Sequence, residues 1–314
     1  MDEVIDDKRE MNIGIIYIGS DKLGGILMLG KELTDSLKSK RTILFIIIMI
    51  TLMCMDLYMV CERDNTVYKR ENKAEIIEMD KINKEIVENS DVQMVFVSNW
   101  IMHPAKASFL SGSSEGHVAQ IILLWLMPLF VLNIYSDKYI SEYGRGYMNI
   151  LRIKKGRHEV HILKLCASFI IPAIIYFLCL LFNFVLAQII FYDGDNFNGL
   201  EVFKERGGFF GFMYERPNTM YFFYILMTSI VAGLCGIICQ CLSFMLKKYV
   251  TVYLIGFFIW MALIMLKDGI VNMFQPFTEY GVEYILRAGS IIVVTTVIMI
   301  IITFMMRTIK RDEL

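Results

Sequence analysis

The feature that constrains this chain most is a series of six apolar runs, each close to the length that a helix needs to cross a bilayer. About 20 mostly apolar residues span the hydrocarbon core. The third and fourth runs carry no charged side chain over 28 and 27 residues, so their helices must tilt or project beyond the lipid. The pattern predicts an all-α membrane protein with six transmembrane helices. The runs cover residues 42–61, 118–135, 165–192, 220–246, 249–266 and 288–306.

The composition agrees with a membrane protein and excludes several other classes. Hydrophobic residues make up 56% of the 314 residues, more than in a typical soluble domain. The net charge of −1 argues against a nucleic-acid binder that works through bulk positive charge. The seven cysteines are odd in number and lie in or beside apolar runs, which is typical of buried cysteines rather than of disulfides or a metal site.

The distribution of Lys and Arg predicts the orientation in the membrane, because short cytoplasmic loops carry an excess of basic residues. Residues 137–164 contain seven basic and three acidic side chains, whereas residues 193–219 contain three basic and five acidic ones. We therefore expect a plasma-membrane protein with both termini in the cytoplasm, including a short tail at 307–314. Segments 62–117, 193–219 and 267–287 are then expected outside.

The N-terminal segment, residues 1–41, is expected to end in an amphipathic helix at the membrane interface. Leu29, Leu33 and Leu37 lie on one side of this helix, directly before the first apolar run. The preceding glycines and Lys31 resemble part of a phosphate-binding loop. Glu32, however, stands where such a loop needs Ser or Thr, so phosphate binding is not expected.

Two of the outer segments have features of their own. Segment 62–117 is predicted to form a small cap with a helix over 76–86, an extended piece and a loop. This cap either shields the outer mouth or binds a ligand. Segment 267–287 is broken by Gly269, Pro276 and Gly281, and a pair of re-entrant half-helices fits it, because irregular backbone at membrane depth must be buried in protein or line a cavity.

The polar and small residues inside the runs are further functional candidates. Asn183, Gln188 and Gln240 either bond between helices or line a transport path. Gly233 and Gly236 predict close helix approach, within the chain or between two subunits. The sequence shows no nucleophile–base set and no zinc-binding spacing, so no catalytic residue, metal or cofactor is predicted, and the chain is not expected to be an enzyme.

The basic segment 136–164 carries a family resemblance. It lies within "PLFVLNIYSDKYISEYGRGYMNILRIKKGRHEVHILKL", where Pro128 lies late in the second run and Lys164 enters the third. Between these two residues lie an acidic residue, then glycine, then basic residues: Glu142, Gly144 or Gly146, and Arg152, Lys154 and Lys155. Together with the amphipathic entry helix, the six runs and the broken element before the last run, this pattern resembles the membrane subunit of type-2 ABC exporters over about residues 28–310.

The resemblance implies that segment 136–164 is a coupling helix that docks in a cleft of a separate ATPase. Apolar side chains would fill the cleft, charges would orient the helix, and glycines would allow turns at its ends. An ordinary positive-inside loop is the alternative. The residues expected to contact the ATPase are Glu142, Gly144, Arg145, Gly146, Met148, Ile150, Leu151, Arg152, Lys154 and Lys155.

The expected function is therefore that of a permease subunit that exports a peptide, drug or lipid-like molecule. The resemblance implies two partners, an ATPase dimer that binds ATP and magnesium and a second, identical or paralogous permease subunit. The alternative is a membrane sensor that transports nothing, in which the outer cap binds a ligand and the inner helix signals to a partner.

Overall fold

The computed structural model describes residues 29–68, 103–111, 117–192, 194, 207–246, 248–266, 270–278 and 280–309, and all regular structure in these residues is helical. Short 3-10 turns lie at Phe109–Ser111 and Ile270–Phe274, and a π-helical turn at Leu132–Ser136. The helices are α1 (residues 29–37), α2 (Lys40–Tyr68), α3 (Pro104–Ala107), α4 (His117–Trp125), α5 (Met127–Val131), α6 (Asp137–Gly144), α7 (Tyr147–Lys155), α8 (Arg157–Ile190), α9 (Gly208–Glu215), α10 (Pro217–Leu246), α11 (Tyr249–Met265) and α12 (Val282–Ile309).

Four helices of the described residues are long and apolar enough to cross a membrane, so the chain is a helical membrane protein. The crossing segments are Lys40–Glu62, His158–Ile190, Pro217–Leu246 and Val282–Met306. Helix α11 is apolar but shorter, with 17 residues. The all-α prediction is confirmed, and four of the six predicted spans are long apolar helices. Helix α8 begins at Arg157, so it extends the predicted third span back into segment 136–164.

The predicted second span, residues 118–135, is interrupted rather than continuous. It is divided into α4, α5 and the π-helical turn, with a break at Leu126. Pro128 explains the break, because proline has no backbone N–H to donate to the carbonyl of Leu124 one turn earlier. The indole Nε1 of Trp260 on α11 donates to that carbonyl instead, at 2.9 Å. A side chain from another helix thus satisfies the acceptor that the proline leaves open.

Helices α8 and α10 form the most extensive helix pair, and glycines allow their close approach. Pro172 lies inside α8 and cannot donate to the carbonyl of Ser168. Gly236 of α10 lies against this carbonyl so closely that a side chain there would overlap its oxygen, and a Cβ at Gly233 would lie 2.7 Å from the ring of Phe169. Both glycines are therefore packing positions within the chain.

The two ends of the helix bundle have different chemistry. Lys164 and Asn183 lie 19 positions apart on α8, which corresponds to about 28 Å along the helix. The end at Lys164, here called the charged end, also contains α1, α6 and α7. It includes the last turns of α12 as well, because the rings of His158 and Phe304 lie 5.6 Å apart. The opposite end, at Asn183, contains residues 103–111.

The segments predicted outside are described in part. Between α11 and α12 the described residues include one 3-10 turn, in which Ile270, Met273 and Phe274 are buried. The pair of re-entrant half-helices stays a prediction. Helix α9 lies within the predicted loop 193–219. The predicted cap helix over 76–86, the extended piece after it, the loop at 112–116 and residues 1–27 lie outside the described residues.

Substituting Gly236 tests the α8–α10 packing. We expect Gly236→Ala to destabilise the protein by roughly 1–3 kcal/mol, because the added methyl group overlaps backbone rather than a flexible side chain. The measurement is thermal unfolding in detergent. Gly256→Ala in α11 is the matched control, because its Cβ would lie at an ordinary 3.5 Å from Leu242. Equal stability of the two variants would contradict this account of the interface.

Candidate functional site

Four charged side chains form a closed ring at the charged end of the bundle. The ammonium of Lys164 lies 2.8 Å from Glu32 Oε1 and 2.7 Å from Glu142 Oε2. Lys138 Nζ completes the ring at 2.8 Å from Glu32 Oε2 and 3.8 Å from Glu142 Oε1. Positive and negative groups alternate around the ring, and its net charge is zero.

Three separate parts of the sequence build this charge ring. Glu32 comes from α1, Lys138 and Glu142 are one turn apart on α6, and Lys164 lies in the first turns of α8. Lys164 is fully buried and Glu32 nearly so. Removing charges from water costs several kcal/mol each, so buried charges occur where partners surround them. The ring therefore holds α1, α6 and α8 in one mutual arrangement.

The titration of Glu32 follows from its two opposite-charge neighbours. Burial alone would raise the pKa of this carboxyl, but the ammonium groups of Lys164 and Lys138 outweigh burial, and the pKa lies below its usual value. Glu32 is therefore ionised at neutral pH. The phenol of Tyr135 lies next to the ring, with its hydroxyl 3.4 Å from Glu32 Oε2.

A second ion pair anchors the beginning of α6. Arg41 Nη1 of α2 lies 2.8 Å from Asp137 Oδ2, and Tyr253 of α11 also hydrogen-bonds this carboxylate. Burial raises the pKa of Asp137, and Arg41 and Tyr253 offset this only in part. The carbonyl of Ile134, just before α6, accepts hydrogen bonds from Ser36 at 2.8 Å and Thr42 at 3.1 Å. Helix α6 is thus fixed by contacts from α1, α2, α8 and α11.

Helix α7 lies between two glycines and packs against α6. Gly146, with φ +75°, precedes α7, and Gly156, with φ +82°, follows it. These left-handed conformations suit glycine and allow abrupt changes of chain direction. Met148 is fully buried in a small apolar cluster with Phe244. Arg152 Nη2 donates to the hydroxyl of Tyr139 at 3.1 Å, which ties the second half of α7 to α6.

The other side of α7 presents an apolar surface. Tyr147, Ile150 and Ile153 are 44%, 57% and 86% exposed. They are three positions apart, so they form one stripe along the helix. We call these three residues the α7 stripe. The inward-facing residues of α7 hold the helix in place, whereas the stripe is turned away from the described part of the bundle.

The residues predicted to contact an ATPase divide into two groups. Ile150 and Arg145 are exposed, as is Gly144, which has ordinary helical geometry. The second group faces the chain itself. Glu142 belongs to the charge ring, Met148 and Leu151 to the small apolar cluster, and Arg152 bonds Tyr139. The side chains of Lys154 and Lys155 lie outside the described part of the structure.

The remaining candidates also have defined positions. Leu29 and Leu33 of α1 pack against the core, whereas Leu37 is exposed. Gln188 Nε2 donates to Asn218 at 2.8 Å on an exposed surface. Gln240 is fully buried on α10, and its side-chain amide has no hydrogen-bond partner in the described structure. Asn183 bonds the backbone of residues 103–111, as described below.

Sequence reasoning missed several residues of the charge ring. Glu32 enters the sequence analysis only as a departure from a phosphate-binding loop, and Lys138 only as one of the seven basic side chains of residues 137–164. Outside the ring, Asp137 is counted among the acidic side chains of that segment, and Arg41 is not singled out. The available signal was a matched set of charges beside apolar runs, but their pairing depends on contacts up to 132 positions apart. The described residues contain no group of three His, Cys, Asp or Glu side chains that could hold a metal ion.

The fold and the charge ring define this chain as a helical membrane protein with a braced, amphipathic helix at one end. It is 35% identical over 197 residues to the uncharacterized protein YybM of Bacillus subtilis strain 168, which covers 62% of this chain and 78% of YybM. The chain belongs to the same family as YybM. No family model matches the sequence, and no solved structure matches the fold.

Removing the central cation tests the charge ring. We expect Lys164→Met to destabilise the protein by roughly 3–5 kcal/mol, because the buried carboxylate of Glu32 and the partly buried one of Glu142 then share one lysine. The double variant Lys164→Met with Glu32→Gln should recover part of this loss, since one acid and one base remain. Thermal unfolding in detergent measures both effects.

Lys31→Met is the matched control, because Lys31 is an exposed neighbour of Glu32 on the same helix. Its effect should stay within about 0.5 kcal/mol. If adding Glu32→Gln made Lys164→Met less stable still, the four charges would not act as one neutral unit.

Proposed function

We propose that this chain is the permease subunit of an ATP-binding-cassette exporter and that α7 is the helix on which a separate ATPase docks. The exposed α7 stripe carries the proposal. Three apolar side chains on a short helix, set between basic residues at the end of a membrane bundle, are typical of an anchor that fills a partner's pocket.

The bracing of α7 supports a role in transmitting force. A docking helix that moved independently of the bundle would not pass a partner's motion to the membrane helices. Here α7 is tied to α6 through Arg152 and Tyr139, and α6 is tied to α8 through Glu142 and Lys164. Helix α8 extends to the opposite end of the bundle, so a displacement of α7 reaches the full depth of the membrane region.

The orientation follows from the same proposal. The charged end faces the cytoplasm of the cell, where ATP is present and where basic residues accumulate. The α7 stripe then points toward the cytoplasm, and residues 103–111 lie on the outer side of the plasma membrane. The ATPase dimer supplies ATP and magnesium binding, and a second permease subunit completes the path. In this proposal the chain crosses the membrane six times, through the four long spans, α11 and the interrupted second run.

The α7 stripe gives a direct test of the partner. We expect Ile150→Asp and Ile153→Asp to abolish co-purification of an ATPase with the affinity-tagged chain from its native membrane, because a charge would be buried in the partner's apolar cleft. Melting temperatures should change little, since both side chains are exposed. The measurement is mass spectrometry of the co-purified proteins, together with the ATPase activity of the preparation.

Asn149→Asp is the control, because it places the same charge at an exposed polar position of α7. It should leave the ATPase bound. Arg152 is unsuitable for this test, because it holds α7 to the bundle. Co-purification of a signalling protein in place of an ATPase would favour the sensor alternative. Retention of the ATPase by both Asp variants would remove α7 as the docking helix.

A further inference from the structure

Residues 103–111, here called the plug segment, are inserted between helices at the opposite end of the bundle. The segment consists of α3 and the 3-10 turn that follows it. Ala105, Ala107, Phe109 and Leu110 are all buried. Its neighbours include α2, α8 and α10, which form the groove in which it lies, and α4 contributes Gln120 to the same groove.

Side chains from three different helices bind the backbone of the plug segment. The N–H of Phe109 donates to Asn183 Oδ1 of α8 at 3.0 Å, and the N–H of Leu110 donates to the hydroxyl of Tyr221 of α10 at 3.1 Å. Gln120 Nε2 of α4 donates to the carbonyl of Leu110 at 2.8 Å. Two adjacent backbone N–H groups and one carbonyl are thus recognised entirely by side chains.

Buried polar side chains such as these are costly unless they have hydrogen-bond partners. Asn183, Tyr221 and Gln120 are each at least 99% buried. Gln120 Oε1 is buried and has no hydrogen-bond partner in the described structure, so the groove retains an unused acceptor beside the segment. The groove therefore offers more backbone-binding capacity than the plug segment uses.

The apolar contacts of the plug segment are modest for its length. Phe109 and Leu110 are its two large apolar side chains, and Ala107 packs in a small cluster with Leu57, Ala187 and Phe191. Small side chains bury little apolar surface, so the polar contacts to the backbone are a large share of what holds the segment.

We propose that this groove is a binding site for the backbone of a short apolar peptide and that the plug segment occupies it as an internal stand-in. Contacts to backbone N–H and C=O groups are independent of side-chain identity, and the apolar walls accept residues such as Leu and Phe. When the plug segment leaves, Asn183, Tyr221 and Gln120 bind the incoming peptide in its place. The inference rests on the proposed function, because it assigns a peptide as the class of cargo.

The test uses the full chain in lipid nanodiscs and a synthetic peptide, HPAKASFLS, that copies residues 103–111 and carries a photoreactive leucine at the position of Leu110. The wild-type chain should capture little peptide, because its own segment competes at a high effective concentration. Leu110→Asp should release the segment and raise photo-crosslinking to α8 and α10 by at least about tenfold. A copy of the peptide that is methylated on the backbone nitrogens of the residues matching Phe109 and Leu110 should not be captured, because it lacks the two N–H donors that Asn183 and Tyr221 bind.

Two further substitutions separate backbone recognition from general loosening. Adding Tyr221→Phe or Asn183→Leu to Leu110→Asp should lower capture about fivefold, as expected for one lost hydrogen bond. Gln188→Leu is the control at the same end, because Gln188 bonds Asn218 and not the plug segment. It should leave capture unchanged.

Each outcome decides the proposal. A folded Leu110→Asp variant that captures no more peptide than the wild type would overturn it, as would capture that does not depend on Tyr221 and Asn183. Phe109→Ala is the milder second variant, and if neither variant folds, the segment is a fixed part of the core and the proposal is wrong. Photo-crosslinking needs no ATPase, so the two proposals can fail separately. If no peptide is captured, the permease proposal still stands. If peptide is captured but no ATPase co-purifies, the groove binds peptide and the permease proposal is the one that fails.

Discussion

Lys164 has an ammonium group that is fully buried, and the fold at the charged end depends on how that charge is matched. Glu32 and Glu142 lie on either side of it, and Lys138 balances the second negative charge. Since an unmatched charge in this position is costly, the three segments that supply the ring must come together. Charge pairing therefore fixes the arrangement of α1, α6 and α8, in addition to apolar packing.

Inside the bundle, a related constraint applies to the backbone. Two prolines leave carbonyls without their usual donors, and the neighbouring helices adapt to each of them. Trp260 donates to one carbonyl, and Gly236 gives the other close contact. The plug segment meets the same requirement, because side chains of neighbouring helices satisfy its buried, irregular backbone. Trp260, Asn183 and Tyr221 therefore each satisfy a buried backbone group that has no partner within its own helix or turn.

The helical class and most of the long spans could be predicted from hydrophobicity alone, because an uncharged run such as residues 165–192 has few other solutions. The mixture of apolar and charged residues in segment 136–164 could also be recognised in the sequence, but which apolar side chains face the bundle could not. Met148 and Ile150 are both apolar, and one is buried while the other is exposed. That division depends on where α6 and α10 lie. The charge ring was hidden for the same reason, since Glu32 and Lys164 meet only after folding.

Cysteine labelling tests most directly our proposal that α7 presents its exposed stripe to the cytoplasm. Ile153→Cys would be treated with a membrane-impermeant maleimide in intact cells and in inverted membrane vesicles, with the wild-type chain as the background for its native cysteines. The account predicts labelling above background in inverted vesicles and none in intact cells. Labelling of the introduced thiol from outside intact cells would contradict it.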